Sequence, residues 1–265
     1  RRAETGIPGL DHVLAGGLPR GRIYLLKGSA GAGKTTLGLQ YLLNGVAAGE
    51  RGLYVALSEN RAELEEVARS HGWDLSPLDI QEVGEAGDIR ADDENTLFLP
   101  AEVELGETTR RILDSVERSR PSRVVIDSLS EIRYLAGTEV RYRRQVMALK
   151  QVFMAKGCTA LLVDVQAARS PDGLLESLAH GVIQLEQLIP RYGPERRQVL
   201  VSKLRGVRYQ GGFHDMRITT GGVVVFPRLI PEEKGGRFRG ELLPSGVAEL
   251  DVILGGHEHE NWSVR

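Results

Sequence analysis

The sequence is short of cysteine, of aromatic side chains and of net charge. One cysteine, Cys158, stands among 265 residues, which excludes an internal disulfide framework and fits a reducing compartment. Phe, Trp and Tyr make up 5% of the chain, and 34 lysines plus arginines nearly balance 36 aspartates plus glutamates, for a formal charge of −2. That balance excludes a generally basic nucleic-acid coat and leaves a local basic patch open. No apolar run approaches the roughly 20 residues that a spanning helix needs, so no membrane partner is expected. The opening, RRAETGIPGL, lacks the apolar stretch of a signal peptide and begins without Met, as a processed or trimmed chain would. Hydrophobic residues at 41% and charged residues at 26% are the ordinary globular mix, and a chain of this length buries a substantial core without staples. The expectation is a soluble, cytoplasmic protein.

What is present is an alternation of strand and helix patterns. Ile23 to Leu26 reads as a short buried strand, followed by GSAGAGKTT and an amphipathic helix ending near Gly49. Strands are then expected at 52–57, 123–126 and 159–165, and helices at 61–71, 107–119 and 139–156, with Gly72 and Gly157 as helix stops. This alternation predicts an α/β domain with a largely parallel central sheet. After about residue 180 the pattern changes to short strand candidates at 181–188, 198–203, 215–219 and 223–227, separated by turns such as IPRYGPE and YQGGFH. These read as antiparallel additions at the sheet edge.

The first domain accordingly spans 1–231, and the charged, Gly-rich 232–240 reads as a linker. Residues 6–16 (GIPGLDHVLAG) then reappear as 246–256 (GVAELDVILGG), with Gly6, Leu10, Asp11, Leu14 and Gly16 matched at an offset of 240. A period that long is a whole domain, so 241–265 reads as the truncated or degenerate start of a second copy; the alternative is chance similarity in a short segment. The His257–Glu260 run is either a metal site or, as composition favours, a solvated terminus.

The strongest motif is Gly28-Ser29-Ala30-Gly31-Ala32-Gly33-Lys34-Thr35, which fits G-x-x-x-x-G-K-[ST] at each fixed position between an apolar strand and a helix. Glycines let successive backbone N–H groups turn toward one anion, and the helix N-terminus adds positive potential. Lys34 would reach the β- and γ-phosphates of a nucleotide and Thr35 would offer its hydroxyl to Mg²⁺. Arg123-Val124-Val125-Ile126-Asp127 has the form of a Walker B strand, so Asp127 is the expected second metal-holding group; a helix cap is the plainer alternative. Glu59, after the strand YVALS, is either the carboxylate that polarises attacking water or a solvated loop residue. Gln166, after TALLVDV, is either a γ-phosphate sensor or a surface glutamine. Lys203 and Arg205, in KLRG, alternate onto one face of a strand, as a cationic finger for a neighbouring subunit or as a solvated pair. The RYRR cluster at 141–144 reads as a solvated helix face, as the balanced charge favours, or as a contact for DNA or a partner.

Together these residues resemble the RecA-like P-loop ATPases, and most closely their KaiC-like branch. The likeness runs through TGIPGLDHVLAGGLPRG, GSAGAGKTT, ALSEN, ARSHGWDL, RVVIDSLSE, KLRG and TTGGVVVFP, nearly the whole chain. The resemblance implies a RecA-like core, slow ATP hydrolysis, and a hexameric ring with ATP and Mg²⁺ bound between subunits and a protein partner for signalling. It implies that Ser29, Ala30, Gly31, Ala32, Gly33, Lys34, Thr35 and Thr36 contact phosphates and metal. It sets Ser70 near the nucleotide, Lys203, Leu204, Arg205 and Tyr209 at the neighbour's nucleotide, and Thr219 and Thr220 near the base. The family often carries two adjacent glutamates after the second strand; here Ser58-Glu59 keeps the second alone. Two other readings stay open: a DNA-acting recombinase or helicase-like motor, against which AARSPDGLLES speaks with its single Arg, and a nucleotide-binding module without turnover.

Overall fold

The computed structural model describes residues 1–83, 101–165 and 173–229. Gln166, the segment 232–240 expected as a linker and the segment 241–265 expected as the start of a second copy lie outside the described residues.

At the N-terminus β1 (Arg2–Ala3) pairs antiparallel with β2 (Leu18–Pro19), with α1 (Pro8–Val13) between them in the chain. The Asp11 carboxylate holds this cap together by accepting from Thr5 N (2.7 Å), Thr5 Oγ1 (2.9 Å) and Gly6 N (3.2 Å). Then follow β3 (Ile23–Gly28), α2 (Lys34–Ala47), β4 (Gly52–Ala56), α3 (Arg61–Ser70) and β5 (Asp79–Glu82). The middle of the chain forms α4 (Ala101–Ser119), β6 (Arg123–Asp127), α5 (Leu129–Ala136), α6 (Glu139–Ala155) and β7 (Thr159–Val165). The last third forms α7 (Gly173–Leu178), β8 (Gly181–Leu188), β9 (Arg196–Leu204), β10 (Phe213–Thr219) and β11 (Gly222–Phe226).

One sheet of nine strands carries the fold, in the order β11-β10-β9-β8-β3-β7-β6-β4-β5. Strands β8 through β5 in that order are parallel, and β9, β10 and β11 extend the sheet antiparallel, as the change of sequence pattern predicts. The parallel strands β3, β4 and β6 are buried at every residue, the signature of a sheet covered on both faces. Alternation along β3 shows the two cores: Tyr24 and Leu26 pack with α1, α2 and α3, whereas Ile23 and Leu25 pack with α4, α5 and α6. Cys158 is buried with its Sγ donating to Pro121 O, and Trp73 packs against the first core.

Long periodic elements match their sequence-based bounds within a few residues. Helix α4 starts at Ala101, ahead of the expected Glu107, because Gly106 lowers local helix propensity without stopping a helix. The short α1, α5, α7, β1, β2 and β5 escape sequence reading: each is too short for a period to declare itself, and tertiary packing forms them.

One buried charge interrupts the apolar layers. Arg123, at the start of β6, is 1% exposed. Its Nε and Nη2 donate to the two Glu50 oxygens (2.9 and 3.1 Å), and Nη1 donates to Glu4 O (2.6 Å) and Tyr41 O (2.9 Å). Its guanidinium lies 4.8 Å from the Tyr41 ring centroid. A side chain at Gly45 of α2 would put its Cβ 2.5 Å from Arg123 Cδ and Nε.

Gly45→Ala should therefore destabilise the protein although alanine is the better helix former. The propensity gain of about 1 kcal/mol is outweighed by overpacking of about 1–3 kcal/mol and by loss of a buried, bidentate guanidinium. Denaturant melts should show a net loss of roughly 2 kcal/mol, and unchanged or raised stability would contradict the tight contact. Partial burial pushes the Glu50 carboxyl up, but ion pairs with Arg123 and Arg20 prevail and hold it at about 2, below its ordinary 4.5. The unfolded state therefore binds the proton first as pH falls. The ion pair stabilises fully above pH 4.5 and is lost toward pH 2, so Glu50→Gln should flatten the acid limb of a stability-versus-pH curve in that window.

Candidate functional site

The phosphate-loop motif occupies the turn from β3 into α2, at the carboxyl edge of the parallel sheet, where open α/β sheets bind ligands. Its backbone demands glycine at two points: Gly31 has φ +75° and Gly33 φ +96°, both left-handed. Gly28 is needed for space, since a Cβ there would lie 2.4 Å from Leu185 O. Ser29, Ala30 and Gly31 are exposed, Gly33 and Thr35 half-buried, and Ala32, Lys34 and Thr36 buried. Lys34 Nζ curls under the loop and donates to Gly28 O (3.0 Å) and Ser29 O (2.7 Å). Burial lowers its pKa, and the carboxylates of Asp127, Asp164 and Glu59 oppose that fall.

The same edge brings Thr35, Asp127 and Glu59 together from three separate elements. Thr35 Oγ1 lies 2.9 Å from Asp127 Oδ2 and 3.4 Å from Glu59 Oε1. Tyr54 OH, on β4, donates to the same Asp127 oxygen at 2.7 Å. The other Glu59 oxygen, Oε2, is buried without a hydrogen-bond partner among the described residues. Burial raises the Glu59 pKa, and the Asp127 charge raises it further. Burial likewise raises the Tyr54 pKa, with Asp127 adding to the shift, so Tyr54 remains a donor. Two carboxylates, one of them with an orphaned buried oxygen, and a hydroxyl form a hard-oxygen donor set, which suits Mg²⁺ completed by phosphate and water oxygens. Ser58 is exposed, with Oγ 3.3 Å from Ser128 Oγ.

Beside the loop opens a cleft of about 710 Å³, lined in part by Arg197, Asp215, Met216, Ile218, Thr219 and Phe226. It adjoins the phosphate loop directly: a Cβ at Gly33 would meet Ile218 Cδ1 at 2.7 Å, and Arg197 Nε donates to Gly31 O at 3.4 Å. Thr219 lines this cleft, with Thr220 next to it in the β10–β11 turn. Ser70 ends α3 next to His71, whose Nδ1 lies 2.9 Å from Thr219 O, but its own hydroxyl donates to Val67 O in the same helix.

Lys203, Leu204, Arg205 and Tyr209 are not brought to this loop. Strand β9 runs antiparallel to β8, so Lys203 pairs with Val182 and Leu204 with Gly181, at the opposite end of the sheet from Gly28. Leu204 is buried, and Tyr209 OH donates to Ser202 O at 3.3 Å. In the RYRR cluster Tyr142 is buried while Arg141, Arg143 and Arg144 are exposed on α6. Sequence reasoning missed Tyr54 and Arg197. Tyr54 sits one pleat inside an apolar strand and gives no signal, and Arg197 is distant in sequence from the loop it contacts.

A family model described as the KaiC ATPase matches residues 3–230. A UPF0273 protein of Thermotoga maritima is 31% identical over 86% of this chain and 96% of its own length. The circadian clock protein KaiC3 of Synechocystis is 30% identical over 96% of this chain, which spans 51% of that longer protein. Among solved structures, a KaiC-like protein from Pyrococcus horikoshii superposes with a TM-score of 0.71 at 29% identity, covering 86% of this chain and 99% of that one.

The site carries a prediction about stability. A carboxyl whose folded pKa is raised disfavours folding once it is ionised, because the fold holds the charge less well than water does. Glu59→Gln should therefore raise the melting temperature of the nucleotide-free, metal-free protein at pH 7 and leave it unchanged below pH 4. A lower melting temperature at pH 7 would show that Glu59 is not held against burial and the Asp127 charge.

Proposed function

The chain belongs to the KaiC ATPase family, and from that premise we propose that it binds ATP with Mg²⁺ and hydrolyses it slowly, in a ring that signals its nucleotide state to a protein partner. The observation that carries the reading is the convergence of Lys34, Thr35, Asp127 and Glu59 on one glycine loop at the N-terminus of α2. Backbone N–H groups of residues 29–36 face the phosphates, and Lys34 exchanges the Gly28 and Ser29 carbonyls for phosphate oxygens, which bind a cation about twice as strongly. Thr35 and Asp127 hold Mg²⁺, with Tyr54 fixing the Asp127 carboxylate. The metal supplies charge neutralisation at the β- and γ-phosphates. Glu59 orients the attacking water and accepts its proton, and its raised proton affinity suits a base. Turnover is slow because Ser58 stands where a second carboxylate would help.

The cleft beside Gly31 and Gly33 takes the base and ribose, with Thr219 and Thr220 at its rim. Lys203, Arg205 and Tyr209 sit at the far end of a strand that rises about 3.3 Å per residue, so they serve another subunit's nucleotide and not their own. A hexamer whose sites are shared between neighbours uses both ends of each sheet. Among the described residues no helix is long and apolar enough to cross a membrane, and the reading needs none.

Steady-state phosphate release from ATP·Mg²⁺ tests this. Lys34→Ala should weaken nucleotide binding at least about tenfold and abolish release. A double variant Lys203→Ala/Arg205→Ala should be inactive alone, yet an equal mixture with Lys34→Ala should regain measurable release, up to about a quarter of wild type, because some sites then combine an intact loop with intact cations. No regain would defeat shared sites, and unchanged affinity in Lys34→Ala would defeat the loop assignment. Strong stimulation by single-stranded DNA would instead favour a motor.

A further inference from the structure

The two ends of the sheet are joined by one short helix. Three cations cap three successive carbonyls at the C-terminal end of α7: Lys203 Nζ donates to Glu176 O, Arg205 Nη2 to Ser177 O at 3.1 Å, and Lys150 Nζ to Leu178 O at 2.8 Å. Such carbonyls have no partner within a helix and carry its negative end, so cations are the natural caps. Two of the three are the residues assigned above to the neighbouring subunit's nucleotide. The side chain of the same Glu176 reaches the other way. Its Oε1 lies 2.5 Å from Lys27 Nζ, a buried ammonium on β3. Lys27 immediately precedes Gly28, whose carbonyl accepts from Lys34.

We propose that Glu176 is a positioning residue that couples each subunit's phosphate loop to the cations that subunit offers to the next site, an inference that rests on the shared-site reading above. The contacts form one chain: the loop, then Lys27, the Glu176 carboxylate, the Glu176 carbonyl, and Lys203. Neutral carbonyls hold Lys203 and Arg205 more weakly than anionic phosphate oxygens would, so a nucleotide next door competes for them. Burial and the nearby Arg205 charge lower the Lys203 pKa, as expected of an ammonium held short of charged partners. When both cations leave, α7 keeps only the Lys150 cap on its last turn and shifts, and its Glu176 carboxylate draws on Lys27 at the base of the loop. In the reverse direction, phosphates bound at the loop reset Lys27 and, through Glu176, the hold on Lys203. Coupling of this kind is reciprocal by necessity.

Graded poisoning of the intact protein tests it. Wild-type chain is mixed with increasing fractions of Lys34→Ala, whose empty loop still carries intact Lys203 and Arg205. If loops and cations are coupled, phosphate release falls more steeply than the fraction of active loops, since each empty loop also impairs the cations offered to its neighbour. In a background of Glu176→Gln in both components, release should fall in simple proportion. Glu176→Asp, which keeps the charge, should restore part of the steepness. Glu176 is partly exposed, so the Gln variant should fold, with the nucleotide KM of the unpoisoned protein within about twofold of wild type. A proportional fall in wild type, or an equally steep one in Glu176→Gln, overturns the coupling. If the Lys34→Ala and Lys203→Ala/Arg205→Ala mixture regains activity when both components also carry Glu176→Gln, so that an empty loop no longer impairs the cations beside it, shared sites survive that result; if it does not, both fall together.

Discussion

The enclosed guanidinium of Arg123 sets the spacing on which the site depends. It ties the first residue of β6 to the C-terminal half of α2, to Glu50 beyond that helix, and to the N-terminal segment at Glu4. The other ends of the same two elements carry Asp127 and Thr35. A buried ion pair is weak evidence of net stability, since a well-packed apolar pair often does as well. What it supplies here is register, for the guanidinium is satisfied only when helix and strand sit at one relative height. Thr35 Oγ1 and Asp127 Oδ2 then meet at 2.9 Å without further adjustment. Gly45 lets the helix come close enough, and no residue with a Cβ could replace it without moving Arg123.

At the carboxyl edge the fold accepts unfavourable electrostatics. Lys34 is buried, Glu59 is pressed against Asp127, and one Glu59 oxygen has no partner. Each is a local cost that the two apolar cores outweigh. Active sites commonly carry such costs, because groups arranged for a charged ligand suit one another poorly without it. The donor set explains why phosphate and a hard divalent cation would relieve these costs together: phosphate answers the ammonium, and the cation answers the carboxylates.

Strand β9 links the parallel half of the sheet to everything else. Its first turn of pleat carries Arg197, bonded to the carbonyl of Gly31, and its last carries Lys203, bonded to α7. Between them lie six residue steps, about 20 Å of extended chain. One strand thus measures the separation between the nucleotide a subunit would hold and the nucleotide it would serve. The antiparallel edge is what makes this possible, because only a strand running against β8 returns its C-terminal cations to the amino-terminal edge of the sheet.

The α/β class, the phosphate loop, and the candidates Lys34, Thr35, Asp127 and Glu59 were legible in the sequence because each is a local pattern. A buried strand, a glycine turn and a helix start are specified within a few residues by backbone sterics and side-chain periodicity. Tyr54, Arg197 and the Arg123 network were not legible, since their partners lie tens of residues away and nothing nearby marks them. The same holds for Glu176 and Lys27, which read as an ordinary helix acid and a strand lysine until 149 residues of chain are folded between them. Sequence by itself determined which chemistry the chain can hold. Tertiary structure alone decided at which end of the sheet each cation lies, because strand direction is a property of pairing and no single segment encodes it.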